Sequence, residues 1–190
     1  MKIGVLGLQG DVREHLRSCE VAGATPVVVT RPEQISSVDG LIIPGGESTT
    51  MGKLLHRFEL LQPLRQAVAG GLPLYGTCAG MILMAARVAG EKDAPGRLGV
   101  MDIVVTRNAY GRQIDSFEAD IDVEGFDRSL RAVFIRAPAV ESVAMGVEVL
   151  ARCDGRPVLV RQENMLASSF HPEMSGDPRV HELFVGMVSH

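Results

Sequence analysis

The amino-acid sequence predicts an α/β fold: an open, mostly parallel β-sheet with helices on both faces and an antiparallel extension. Two observations lead to this prediction. In the first half of the 190-residue chain, short continuous apolar runs alternate with stretches of helical periodicity. In the second half, residues 103–168, strand patterns follow one another with turn residues between them. Helical crossovers indicate parallel strands, whereas strands joined by short turns pair in antiparallel fashion.

The first half is predicted to alternate strands and helices up to a sharp turn at Cys78. Asp11, followed three residues later by Glu14, has the form of a capping box for the first helix. Helical periodicity resumes over residues 81–88, directly after the turn. The elements predicted here are strand 3–6, helix 12–22, strands 26–29 and 41–43, helices between residues 49 and 69, and strand 74–75.

The second half is predicted to extend the sheet and to return the chain toward Cys78. Asp154-Gly155 is a two-residue hairpin signal between the apolar residues 149–150 and 158–160. Residues 89–98 are predicted to form a surface loop. The strands expected in this half are 103–106, 116–121, 132–135 and 158–161, followed by a closing helix at about 178–188.

Composition bounds the class of protein. With 46% hydrophobic residues, residues 1–190 are expected to form a single domain around one core. A net charge of −4 without a Lys/Arg-rich run argues against nucleic acid or a membrane as partner and favours a small polar substrate. The apolar start is too short for a signal peptide, and no segment approaches the roughly 20 apolar residues of a membrane span. We therefore expect a cytoplasmic protein.

The three cysteines are too few and too far apart for a disulfide framework or a zinc site. Cys19, Cys78 and Cys153 form no Cys-x-x-Cys motif, which also fits a reducing compartment. Cys19 falls on the apolar stripe of the first predicted helix, so we interpret it as a core residue. Cys153 is assigned no chemical role, and neither a metal nor a cofactor is expected.

Cys78 has the setting of a nucleophile. It lies in Gly76-Thr77-Cys78-Ala79-Gly80, between a short apolar strand and a helical stretch. Strand, tight turn and helix with glycines around the reactive residue define a nucleophile elbow. The helix N-terminus favours the thiolate over the thiol, which raises nucleophilicity. A buried cysteine is more often an inert core residue, so a second signal is needed to decide.

That second signal is a histidine and a carboxylate near the C-terminus. His171 and Glu173 are two residues apart, which in an extended segment places both side chains on one face. His171 is then expected to accept the Cys78 proton while Glu173 orients the imidazole. The alternative is a surface histidine beside a surface glutamate.

Together these residues resemble the class I (triad-type) glutamine amidotransferases. Within that family, nearly the whole chain resembles the glutaminase subunits of pyridoxal 5′-phosphate synthases. The resemblance implies a flavodoxin-like, class I glutamine amidotransferase fold and hydrolysis of L-glutamine to L-glutamate and ammonia by Cys78, His171 and Glu173. The stretches that indicate this branch are residues 7–15, 44–50, 115–119 and 134–138.

The resemblance also implies a substrate site. It assigns the oxyanion hole to the backbone N–H groups of Ala79 and Gly46, in a Gly45-Gly46 turn able to reorient. An arginine fork suits the α-carboxylate of glutamine, and a glutamate suits its α-ammonium group. The residues assigned to glutamine are Gly46, Glu47, Ser48, Arg107, Ile135 and Arg136.

A separate partner is implied because the chain is too short to contain the synthase. The family's synthase subunit is a (β/α)₈ barrel, which needs roughly 250 residues. It combines ammonia with ribose 5-phosphate and glyceraldehyde 3-phosphate, and the complexes contain twelve subunits of each kind. Family members are weak glutaminases alone and become active on docking.

Three other functions stay open from the sequence alone. The chain is alternatively a glutaminase of another pathway, such as histidine or aminobenzoate synthesis, a non-catalytic subunit on the same fold, or a cysteine peptidase. The other histidines are interpreted as surface or packing residues: His15, His56, His181 and His190.

Overall fold

A computed structural model describes residues 1–91, 96–107 and 116–189. Three parts of the sequence-based predictions lie outside the described residues: Asp115, from the stretch 115–119 that indicates the family branch, His190, and residues 92–95 of the predicted surface loop. Across those described ranges, no helix is both long and apolar enough to cross a membrane.

The main sheet has seven strands in the order β10-β11-β12-β4-β3-β1-β2. The five from β12 to β2 run parallel, and β11 and β10 add an antiparallel edge, which confirms the predicted mostly parallel sheet with an antiparallel extension. Its strands are β1 (Lys2–Leu6), β2 (Thr25–Val29), β3 (Gly40–Ile43), β4 (Leu74–Thr77), β10 (Glu148–Cys153), β11 (Arg156–Gln162) and β12 (Met165–Ser168).

Helices cover both faces of this sheet. Alternate strand residues enter two apolar cores: Leu41 and Ile43 of β3 face one core, and Ile42 between them faces the other. The short continuous apolar runs of the central strands are thereby buried on both sides. The helices are α1 (Val12–Val21), a 3₁₀ helix (Pro32–Ser37), α2 (Ser48–Arg57), α3 (Leu61–Ala69), α4 (Ala79–Met84), α5 (Pro172–Ser175) and α6 (Arg179–Val188).

The remaining strands form two smaller sheets instead of joining the main one. One sheet has the order β5-β6-β9, with β5 (Ala85–Val88), β6 (Met101–Thr106) and β9 (Ala139–Val143). The other pairs β7 (Ser116–Ile121) with β8 (Leu130–Ile135). The second-half strands were predicted to extend the main sheet. This prediction is wrong for β6, β7, β8 and β9, and it is confirmed for β10 and β11.

Two local predictions have opposite outcomes. The predicted helix over 81–88 ends at Met84, because Ala85 begins a strand that pairs with β6. The predicted hairpin is present: Asp154 and Gly155 have φ values of 49° and 76° between β10 and β11. Positive φ at both turn residues is the geometry of a type I′ turn, whose twist matches the flanking strands.

Candidate active site

The site lies where parallel strands of the main sheet end. The loops after β1, β3, β4 and β12 all leave the carboxyl edge, which is where ligands bind in open α/β sheets. The loop after β4 carries Cys78, and the chain leaving β12 carries His171. Residues far apart in sequence are therefore brought to one edge.

Cys78 occupies a strained turn between β4 and α4. Its φ and ψ are 46° and −98°, a conformation that costs an L-residue about 1–3 kcal/mol. The backbone N–H of Cys78 donates to Ser168 O at 2.8 Å, so β12 holds the turn. A Cβ on Gly80 would lie 2.3 Å from Ile43 O, so the backbones pass too closely for any side chain there. Cys78 is 7% exposed, and its thiol donates to Ile135 O at 3.8 Å.

His171 and Glu173 form a buried pair. His171 Nδ1 lies 2.7 Å from Glu173 Oε1, and the glutamate side chain has no exposed surface. The segment is not extended as predicted: His171 is the N-cap of α5, and Glu173 lies in its first turn. The two side chains still meet because the helical turn curls the carboxylate back over the imidazole. The backbone N–H of His171 donates to Val133 O of β8 and anchors the segment.

The surroundings of His171 favour its protonated form. Burial alone lowers the pKa of the imidazole, but hydrogen bonds with Asp11, Cys78 and Glu173 outweigh it and raise the pKa to about 12. Burial likewise raises the pKa of Glu173, yet attraction to His15 and His171 leaves it well below its usual range. The pair therefore lies toward imidazolium and carboxylate, beside the Cys78 thiol.

Asp11 belongs to this group and does not cap α1. It occupies the N-cap position, but its side chain makes no capping hydrogen bond. Its Oδ2 instead lies 3.3 Å from His171 Nδ1. The capping-box prediction is wrong because an ion pair across the site competes with the cap for the same carboxylate.

Two buried histidines lie behind Glu173. His15 Nε2 is 3.5 Å from Glu173 Oε1 and 3.1 Å from Thr77 Oγ1. His15 Nδ1 is 3.0 Å from His181 Nε2. Both histidines have no exposed surface. Their interpretation as surface or packing residues missed these polar contacts. The available signal was the position of His15 on the same helix face as Asp11, four residues earlier.

The turn after β3 lies against the loop after β1. Gly45 O accepts from Asp11 N at 3.2 Å, and Glu47 N donates to Gln9 Oε1 at 2.8 Å. Gly46 has a φ of 156°, and a Cβ there would lie 2.5 Å from Gln9 Oε1. The turn thus needs glycine for both its backbone angle and its space.

Glu47 and Ser48 begin α2. The Glu47 carboxylate accepts from Thr49 N at 2.9 Å and Thr50 N at 2.7 Å and so caps the helix. A hydrogen bond from the Thr50 hydroxyl is the first of several that lower the pKa of Glu47 to about 2. Glu47 therefore offers a permanent negative charge at the site.

Arg107 meets Ser48 and brings two of the residues assigned to glutamine together. Its guanidinium donates to the Ser48 hydroxyl, and its Nε lies 2.6 Å from Glu91 Oε1. Both residues line a cavity of about 310 Å³ together with Thr49. Cys78 is not among the described residues that line it, although Ile82 and Leu83 of α4, the helix that follows Cys78, are.

Ile135 is the last residue of β8, and Arg136 follows it. The carbonyl oxygen of Ile135 accepts from the Cys78 thiol, and Arg136 has a φ of 45°. Gly45, in the turn after β3, is adjacent to His171: a Cβ there would lie 2.3 Å from His171 Cε1. Of the residues assigned to glutamine, Ile135 therefore contacts the Cys78 thiol, and Ser48 contacts Arg107.

The site fits an acid–base centre better than a metal centre. Asp11, His171 and Glu173 each place one donor atom within 4.8 Å of the others. In the described chain, however, both carboxylates already contact the same nitrogen, His171 Nδ1. A metal there would have to displace the 2.7 Å bond to Glu173. The arrangement instead supplies a thiol, an imidazole and a carboxylate that orients the imidazole.

Comparison with known proteins places the chain among amidotransferases. A profile described as "SNO glutamine amidotransferase family" matches residues 5–190. The pyridoxal 5′-phosphate synthase subunit PdxT of Mycobacteroides abscessus is 56% identical over 186 residues, covering 98% of this chain and 96% of that protein. The PdxT of Frankia alni is 58% identical over 189 residues, with 98% and 94% covered.

Solved structures agree at the level of the fold. A crystal structure of a glutamine amidotransferase superposes with a TM-score of 0.94 at 48% identity and covers 99% of both chains. The structure of PurLQS from Thermotoga maritima has a TM-score of 0.71 at 18% identity, covering 99% of this chain and 97% of that one. The second likeness shows the shared fold alone.

Proposed function

The chain belongs to the SNO glutamine amidotransferase family, and we propose that it hydrolyses L-glutamine with Cys78, His171 and Glu173 and delivers the ammonia to a synthase that makes pyridoxal 5′-phosphate. The observation that supports this most directly is the meeting of a thiol on a strained elbow with a buried imidazole–carboxylate pair. The full-length similarity to PdxT subunits supplies the pathway.

In the first half-reaction, the Cys78 thiolate attacks the side-chain amide carbon of glutamine. The carbonyl oxygen takes the negative charge, and the imidazolium of His171 then donates its proton to the amide nitrogen. Ammonia leaves as the C–N bond breaks, and a γ-glutamyl thioester remains on Cys78. Glu173 supports the imidazolium before this proton moves.

In the second half-reaction, water attacks the thioester. Neutral His171 takes a proton from the water as its oxygen bonds to the carbonyl carbon. The C–S bond then breaks, the product leaves as glutamic acid and gives its remaining proton to solvent, and the Cys78 sulfur and the imidazolium of His171 are restored. The proton that His171 takes from water in the second half-reaction is the one it donates to the amide nitrogen in the next cycle. The chemistry therefore needs no cofactor.

The oxyanion is assigned to the backbone N–H groups of Ala79 and Gly46. One such donor is typically worth about 3 kcal/mol of transition-state stabilisation. The α-carboxylate of glutamine is assigned to the arginines, Arg107 and Arg136, and the α-ammonium group to Glu47. Ser48 and the Ile135 backbone complete the substrate site. The Ile135 carbonyl at the Cys78 thiol, the contact between Arg107 and Ser48, and the charge of Glu47 support these assignments.

The ammonia acceptor is a separate polypeptide. We assign residues 1–190 to a single glutaminase domain whose partner is the barrel-shaped synthase subunit. The assembly proposed from the resemblance has twelve copies of each chain, and its mass in solution tests that number. Docking beside the carboxyl edge of the sheet would bring the acceptor close to Cys78, which limits loss of ammonia to water.

The test is glutamate release from glutamine by the purified chain, alone and with its cognate synthase subunit. Cys78→Ala should abolish release, whereas Cys153→Ala, which removes a buried cysteine of β10, should leave it unchanged. Strong stimulation by the synthase that depends on Cys78 supports the whole proposal. Equal release without the partner points to another acceptor pathway, and no release with it points to a non-catalytic subunit.

A further inference from the structure

A chain of buried polar groups continues behind the catalytic pair, and the mechanism above leaves it unused. From Glu173 it runs to His15 of α1 and on to His181 of α6, with Thr77 of β4 at its side. All three of these neighbours have no exposed surface. Buried polar groups are costly unless they are paired, so a contact made by three separate elements needs an explanation.

The contacts of His15 favour a proton on the nitrogen that faces Glu173. One of the nitrogens His15 Nδ1 and His181 Nε2 carries a proton, because they lie 3.0 Å apart. If His181 donates, neutral His15 must carry its own proton on Nε2. If His15 donates from Nδ1, a bare Nε2 could accept from the Thr77 hydroxyl, but it would still lie 3.5 Å from Glu173 Oε1, acceptor to acceptor. Both arrangements therefore favour an N–H on Nε2, directed at Glu173 Oε1 and Thr77 Oγ1.

We propose that His15 is a positioning residue for glutamine hydrolysis: its Nε2–H holds the Glu173 carboxylate ionised and aimed at His171, and His181 fixes the tautomer of His15. This inference rests on the proposed roles of Cys78, His171 and Glu173. The reacting centre thus extends inward from the thiol through His171 and Glu173 to His15.

The groups that face His15 are consistent with this role. Glu173 from α5 is the nearest charge, and His181 from α6 is kept neutral because burial, then repulsion from His15, lowers its pKa to about 3. Tyr75 of β4 lies edge-on with its ring 6.5 Å away, and burial raises its pKa well above the usual value. On α1 itself, the pKa of Cys19 is raised to about 12, chiefly by burial. Glu173 is therefore the only fixed anion among these four facing groups.

Loss of His15 should act on the ionisation of Glu173. Attraction and a hydrogen bond from His15 counter the burial of this carboxylate. Without them, burial raises its pKa, and a protonated Glu173 no longer supports the imidazolium of His171. Cys78 should then form its thiolate at a higher pH than in the parent chain.

The experiment compares His15→Leu, which removes the N–H, with His15→Gln, whose amide N–H reaches a similar position. His56→Leu, at an exposed histidine of α2, is the matched control. Two readouts are measured on the full chain: kcat and KM for glutamate release with the cognate synthase subunit, and the pH dependence of Cys78 alkylation by iodoacetamide, followed by mass spectrometry of the Cys78 peptide.

We expect His15→Leu to lower kcat about tenfold or more with KM little changed. The acidic midpoint of alkylation should rise by about one pH unit. His15→Gln should recover much of both, and His56→Leu should match the parent. An unchanged kcat and alkylation midpoint in His15→Leu overturns the proposal. It is also overturned if both His15 variants lose kcat equally and the loss is proportional to the fall in their melting temperatures.

One further measurement needs no folded Leu variant. Nitrogen-15 NMR of the parent chain reports which imidazole nitrogens carry protons, and His15→Gln identifies the His15 signals. A protonated Nε2 at neutral pH supports the proposal, and an unprotonated Nε2 overturns it. Alkylation and NMR both read the resting site directly, so they test His15 even if the glutamate assay fails and the proposed function is wrong.

Discussion

At the scale of single residues, the paired ionisation of His171 and Glu173 links stability to pH. The pKa of His171 rises from 6.5 to about 12, so its contribution to folding is complete below pH 6.5 and is lost as pH rises toward 12. The pKa of Glu173 is lowered from 4.5, so its contribution is present above that pH and is lost as pH falls. Both contributions are complete together between about pH 4.5 and 6.5.

Glu173→Gln removes the charge and keeps the size of the side chain. We expect kcat to fall about 100-fold, because an amide cannot stabilise the imidazolium of His171. The difference in unfolding free energy between parent and variant should be largest near about pH 5.5 and shrink toward about pH 9. Urea unfolding at several pH values measures it. Glu182→Gln, at an exposed carboxylate of α6, is the control, and a pH-independent difference for Glu173→Gln would contradict the prediction.

Residue-level reasoning from the sequence identified Cys78, His171 and Glu173 but not the groups around them. Asp11 has the spacing of a helix cap, and nothing local to it indicates a histidine that follows 160 residues later in the chain. His15 and His181 lie on two helices that meet only in the folded molecule. Residues in motifs that are contiguous in sequence could be predicted. Contacts between distant elements could not, because they depend on tertiary packing.

At the scale of elements, the turn between β4 and α4 is fixed by close backbone contact. The oxygen of Ile43, at the end of β3, faces Gly80 in α4. The central parallel strands hold this oxygen in place, because β3 pairs with β4 on one side and with β1 on the other. The elbow therefore has little freedom to move away from an added side chain.

Gly80→Ala tests this contact. A Cβ 2.3 Å from a backbone oxygen should destabilise the fold by about 1–3 kcal/mol and displace Cys78. Gly186→Ala in α6 is the matched control, since its Cβ would meet nothing within 4 Å, and it should stabilise the chain by about 0.5–1 kcal/mol. Urea unfolding and the rate of Cys78 alkylation measure the two effects. Equal stability of the two variants would show that the elbow is not tightly packed.

The elements that the sequence concealed are short strands with distant partners. Strand β12 is four residues long, and it becomes a central parallel strand only by inserting between β4 and β11. Strand β5 continues the apolar run of α4, so periodicity over eight residues could not separate the helix from the strand. The alternating strands and helices of the first half were predictable because each is set by local pattern.

At the scale of the whole molecule, we propose that the Gly45-Gly46 turn is where a docked partner controls the chemistry. Asp11 N and Gln9 Oε1 hold this turn in its present geometry through two hydrogen bonds. The loop after β1, which supplies both groups, lies at the same edge of the sheet as Cys78. A synthase subunit that contacts this edge would therefore act on the turn and on the nucleophile together, which is a physical route to activation by docking.

Gly46→Ala should separate docking from activation. Its Cβ would lie 2.5 Å from Gln9 Oε1, and its φ of 156° disfavours any residue but glycine. If the Gly46 N–H is an oxyanion donor, its misplacement should lower synthase-stimulated glutamate release by about 10²–10³-fold. Cys78 alkylation and co-sedimentation with the synthase should stay near parent values, because neither requires the oxyanion hole. Retained stimulation in Gly46→Ala would remove this turn from the activation mechanism, whereas lost co-sedimentation would make it part of the docking surface.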